Sequence, residues 1–136
     1  MIIDPYLAEF IGTFFLLLLG NGVVANVNLK NTIAEGQTPW VLITTAWGFA
    51  VFVGVFITGQ FSGAHLNPAV TIGLAVANKF SWLLVPGYLI AQVLGAMAGS
   101  WICYLIYIDH YRLTKEEGVV RSTFCTGSVI RNSKNN

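Results

Sequence analysis

The feature that most limits how this chain can fold is an interruption. Between two long apolar runs lies Ser62-Gly63-Ala64-His65-Leu66-Asn67-Pro68-Ala69-Val70-Thr71, after which the apolar character resumes at once. Pro68 lacks an N–H and has φ fixed near the helical value, so it suits the first turn of a helix, and Asn67 before it is a good N-cap. The pattern predicts a break over 59–66 and a short helix over 68–78, capped by Asn67 and closed by Asn78 and Lys79. At roughly 1.5 Å per residue that helix is about 15 Å long, about half the hydrocarbon thickness of a bilayer. Its start therefore falls near the midplane. Backbone with free N–H and C=O groups at that depth is tolerated only where it is buried in protein or lines a water-filled cavity, and a pore is the simplest such cavity.

The flanking sequence supplies the membrane. Of 136 residues 55% are hydrophobic and 10% charged. The placement of charge matters more than the net value of +1, because none falls between Glu35 and Lys79 or between Lys79 and Asp109, while 109–136 holds most of the charged residues. Apolar runs long enough to span are predicted at about 6–27, 40–58 and 84–108. The first is read as a mature span: Met1 to Tyr6 has no Lys or Arg, and the run exceeds the apolar core of a signal peptide. Asn26, Asn28, Lys30, Asn31, Glu35, Gly36 and Pro39 form a polar connection before Trp40, which opens the second span at the interfacial position Trp favours. Ala46, Ala50, Gly54 and Thr58 fall four apart on the second span, as do Ala91, Gly95 and Gly99 on the third, predicting two seams where helices approach closely. The fold class is thus all-α membrane protein, with three transmembrane helices and one re-entrant half-helix. The remainder, 109–136, is expected to be a polar loop without a span of its own.

Several functions are excluded at this level. No basic stripe lies outside the mixed-sign tail, so nucleic acid is not an expected partner. No nucleophile with its base, acid pair or phosphate loop occurs, and 59–63 lacks the Lys and Ser or Thr of a P-loop, so the chain is not expected to be an enzyme. His65 and His110 have no second ligand at metal-binding spacing, and Cys103 and Cys125 are expected to be unpaired thiols. No cofactor is expected.

Individual residues leave alternatives. Asn67 caps a helix, and a cap whose amide N–H faces a cavity is also a donor to a passing oxygen. Gly63, Ala64, His65 and Leu66 in extended form would present successive carbonyls along one wall, replacing hydrogen bonds that a solute loses on leaving water. His65 is either a packed neutral imidazole or a proton relay. Glu9, an acid inside an apolar span, marks a site, pairs with a partner, or reaches water at the interface. Trp47 faces lipid, packs in the core, or lines the passage.

The residues Ser62 to Thr71, with Asn67-Pro68-Ala69 at their centre, resemble the first signature of the major intrinsic protein family, the aquaporins and glycerol facilitators. The resemblance extends to Ala8-Glu9-Phe10-Ile11-Gly12-Thr13, Ala46-Trp47-Gly48 and Gln92-Val93-Leu94-Gly95-Ala96, in family order. It implies a channel built from two inverted halves, each giving three spans and one half-helix, with two Asn-Pro-Ala motifs meeting at the midplane. Only one such motif occurs here, so the sequence is expected to be a fragment or truncated version of a longer facilitator. The resemblance further implies that Asn67, Pro68, Ala69, Gly63, Ala64, His65 and Leu66 border the pore, with His65 packed beside it, and that Glu9 and Gln92 brace the re-entrant loop. It also implies Trp47 in the selectivity region, where glycerol facilitators have Trp and water channels Phe. The expected activity is passive passage of glycerol, other small polyols and water across the plasma membrane, in a homotetramer when full-length. Rival readings are a water-selective channel and a non-conducting assembly half.

Charge bias and resemblance disagree on orientation. Lys30, Arg112, Lys115 and Arg121 fall on the side opposite Lys79 and the N-terminus, so the positive-inside rule places the N-terminus outside. The resemblance implies that it lies inside, and long connections weigh little in that rule.

Overall fold

A computed structural model describes residues 3–37 and 40–126. Pro39 of the polar connection and 127–136 of the tail lie outside the described residues. The chain begins with α1 (Pro5–Asn28), a helix with Pro at its first position, whose Asp4 cap accepts from the N–H groups of Tyr6 and Leu7 at 2.9 and 3.3 Å. It is followed by α2 (Trp40–Ser62), the half-helix α3 (Pro68–Val76) and α4 (Val85–Ile106). Helices α1, α2 and α4 are each long and apolar enough to cross a membrane.

Helix α1 is the hub, packing on α2 along one side and α4 along the other, while α3 leans on α4. The small-residue seams explain how closely they meet. A methyl group added at Gly95 or Gly99 would overlap the carbonyl oxygens of Phe10 and Phe14 on α1, so these positions admit backbone-to-backbone contact and nothing larger. On α2, Ala50, Gly54 and Thr58 are all buried against α1. Asn21 on α1, also buried, donates from Nδ2 to Ser100 Oγ on α4 at 2.9 Å.

The break is shorter than the sequence predicts. Gly59 stays helical and its carbonyl accepts the Gly63 N–H at 3.0 Å, so α2 runs to Ser62. What stops it is Gly63 at φ +80°, which turns the chain out of the helix at a position where a side chain would be strained. The half-helix is correspondingly compact. It ends at Val76 rather than 78, because Asn78 adopts φ +56° and the N–H groups of Asn78 and Lys79 close back on Ala75 and Leu74 at 3.1 and 2.9 Å, a Schellman arrangement.

The tail departs from the expected polar loop. Tyr107 interrupts α4, after which α5 (Ile108–Leu113) stays beside α4 and α6 (Glu117–Ser122) folds back onto α1. The cause is apolar: Tyr111 joins Ala25, Leu29 and Cys103 in a buried cluster, with Val120 packed against it. Burial pushes the Tyr111 phenol up to about 12, and its hydroxyl is hydrogen-bonded to Thr123 Oγ1 at 2.8 Å. Around this cluster Lys30 N–H donates to Thr114 Oγ1 at 3.0 Å, and Lys30 Nζ lies 3.7 Å from Glu116 Oε1. Lys30 and the basic tail residues therefore share one end of the bundle.

Candidate functional site

The interruption is held by one carboxylate. Glu9 is fully buried on α1, and its oxygens accept four hydrogen bonds. Oε1 takes Ser62 Oγ at 2.6 Å and the His65 N–H at 2.8 Å; Oε2 takes the Leu66 N–H at 2.7 Å and Gln92 Nε2 at 2.8 Å. All four partners are donors, so both carboxylate oxygens serve only as acceptors. Ser62 Oγ also accepts the Ala64 N–H at 3.0 Å, so three successive loop N–H groups turn inward.

The other half of the loop's polar groups is left over. Among the described residues no donor reaches the carbonyls of Gly63, Ala64, His65 or Leu66. This asymmetry demands unusual backbone: Gly63, Ala64 and Leu66 all have positive φ, at +80°, +48° and +51°. For Ala64 and Leu66 that conformation is strained. Leu66 keeps it because its side chain is buried at the crossing of α1 and α2, where methyl groups added at Gly12 or Gly54 would collide with it.

Asn67 begins α3 as the sequence predicts. Its Oδ1 accepts the Ala69 N–H at 2.8 Å, which leaves the Nδ2 donors free to point elsewhere. The side chain is exposed to a cavity of about 530 Å³ that Ala64, His65, Leu66 and Pro68 also line. The facing wall is apolar, with Leu16 and Leu17 from α1, Val51 and Val55 from α2 and Val93 from α4. His65 rests against the rings of Phe80 and Tyr88, with centroids 4.6 and 5.0 Å away, and its Nδ1 is 3.1 Å from Thr71 Oγ1.

Gln92 joins loop and half-helix, donating from Nε2 to Thr71 Oγ1 at 2.9 Å as well as to Glu9. Three contributors were not legible as site residues: Ser62, Thr71 and Tyr88, whose hydroxyl donates to the Ser62 carbonyl at 2.9 Å. For Tyr88 a signal does exist, since it precedes Gln92 by four residues and so shares its helix face.

Trp47 is not brought to the loop. It sits one turn before Val51 on the same face of α2, half-buried against Gly20 of α1, and borders a second cavity of about 960 Å³ with Asn21, Thr44 and Phe124. Leu17 lines both cavities, which lie one after the other beside α1 as two stretches of a groove, the first at the interruption and the second at the tail end.

A family model described as Major intrinsic protein matches residues 2–130. A curated relative from Thermotoga maritima, described as a probable glycerol uptake facilitator protein, is 49% identical over 126 residues, covering 93% of this chain and 53% of the relative. Glycerol uptake facilitator protein 3 from Lactiplantibacillus plantarum is 48% identical over 125 residues, covering 92% and 52%. The X-ray structure of the aquaglyceroporin from Plasmodium falciparum matches with a TM-score of 0.73 and 39% identity, over 79% of this chain and 43% of that one. The chain spans about half the length of the curated relatives it matches.

Proposed function

The chain belongs to the major intrinsic protein family, and from that membership we propose that it supplies one half of a passive channel for glycerol, other small uncharged polyols and water. Its three spans and half-helix are those of a multi-pass membrane protein with half of an aquaporin-like bundle. In the proposed assembly a second half closes the groove, and the complete channel works as a homotetramer in the plasma membrane.

The observation that carries this reading is the one-sided hydrogen bonding of the interruption. The N–H groups of Ala64, His65 and Leu66 are taken by Ser62 and Glu9, the carbonyls of Gly63 to Leu66 are left without a donor among the described residues, and Ala64, His65 and Leu66 line the cavity. A polyol entering the groove exchanges water for these acceptors, while its carbon backbone lies against Leu16, Val51 and Val55. At the start of α3 the helix dipole contributes roughly half a positive charge, and Asn67 Nδ2 is the donor offered to the hydroxyl oxygens of the solute. Cations, including protons, are repelled there, and neutral hydroxyl-bearing solutes are not. Glu9 and Gln92 act only as braces. Trp47, farther along the groove, offers its broad apolar face to the carbon side of the solute, which favours glycerol over a water-only passage.

Proteoliposomes test this directly. The chain is reconstituted alone and as a fusion with the half of the Thermotoga maritima relative that it does not cover. Swelling in a glycerol gradient by the fusion, and none by the chain alone, is the expected result. A folded fusion that passes water but excludes glycerol would establish a water channel instead. A fusion that passes neither would leave a non-conducting assembly role.

A further inference from the structure

We propose that Gly20 is a positioning residue for Trp47: by having no side chain it lets the indole lie against α1, where it borders the groove without filling it. The functional consequence rests on the glycerol reading above. A methyl group at Gly20 would overlap three atoms of the indole, Cε3, Cζ3 and Cη2. Neither Gly22, two residues on, nor Gly48, beside Trp47, has anything within 4 Å of the same added atom, so the constraint belongs to this one pair. Glycine inside a helix is unfavourable relative to alanine, and the indole gives a reason for it at position 20.

The crowding cannot be relieved by moving α1. Its opposite side is already in backbone contact with α4 at Gly95 and Gly99, and Asn21, next to Gly20, is tied to Ser100. The indole can move, because in front of it lies the cavity of about 960 Å³. A side chain at position 20 therefore pushes the ring off α1 and into the passage. The width available to a carbon-bearing solute is set from α1 by an absent side chain as much as from α2 by Trp47.

The ring is followed by fluorescence in a variant of this chain in which Trp40, Trp82 and Trp101 are replaced by Phe. Gly20→Ala is expected to make Trp47 emission shift to the red and become more quenchable by acrylamide, while Gly22→Ala leaves both unchanged. Unaltered emission in Gly20→Ala would overturn the proposal. If Gly20→Ala fails to fold, the Gly20→Ala/Trp47→Phe double variant must recover folding, and failure to do so overturns it too. In the conducting fusion, Gly20→Ala is expected to lower the glycerol-to-water permeability ratio about tenfold, the scale of one methylene group in a fitted apolar site. Trp47→Phe separates the two ideas: if it leaves that ratio unchanged the selecting role given to Trp47 in the glycerol reading fails, while the fluorescence result still decides the role of Gly20.

Discussion

The interruption and the tail end of the bundle are both built from short segments docked on the long helices, yet they are held by opposite means. At the interruption one fully buried carboxylate and its four donors do the holding. At the tail the holding is done by Tyr111 and its apolar neighbours, and the polar contacts around it run from the buried Tyr111–Thr123 bond to the exposed Lys30–Glu116 pair. The same kind of contact is thus worth several times more at one end than at the other, because its value depends on what replaces it when it is broken.

The sharpest way to break this contrast is Glu9→Ala, which strands the N–H groups of His65 and Leu66 in a buried site. A loss of about 3 kcal/mol or more is expected, read as a lower unfolding midpoint in detergent, together with loss of glycerol flux in the fusion. A drop within a few tenths of a kcal/mol would remove the carboxylate from its central place. Next in size is the effect of alkali on the tail. Because the folded state holds the Tyr111 phenol above its usual 10.0, at about 12, this contribution is intact below pH 10 and is lost as pH rises toward 12. The unfolding midpoint in detergent should fall over that window, and Tyr111→Phe should make the fall smaller. The smallest effect is expected for Lys30→Ala. Its ion pair with Glu116 spans 3.7 Å with both side chains about half exposed, and its loss should cost under roughly 0.5 kcal/mol in a thermal melt.

The same contrast explains what could be read in advance. Asn67-Pro68 carries its own instructions, a cap and a pre-set φ, and the structure starts α3 there. The three spans follow from length and composition, needing no partner to be recognised. Gly59 misled because glycine weakens a helix wherever it stands, whereas only Gly63 takes the positive φ that ends this one. The clasp around Glu9 joins residues 53 to 83 positions apart, and nothing local in Ser62 or Thr71 announces it. In the tail, α5 and α6 have six residues each, too few for a helical period to emerge, and Tyr111 was hidden among charges. The nearness of Gly20 to Trp47 depends on how α1 crosses α2, which no pattern within either helix encodes.

Leu66 carries one more consequence. Its side chain is a key seated where α1 and α2 cross, between Gly12 and Gly54, while its backbone belongs to the strained loop. The aperture of the proposed channel is thereby geared to the angle between two spans. When a thinner or thicker bilayer tilts those spans as a pair, the loop should travel with them as a rigid passenger, and only a change in their mutual angle should reach the passage itself.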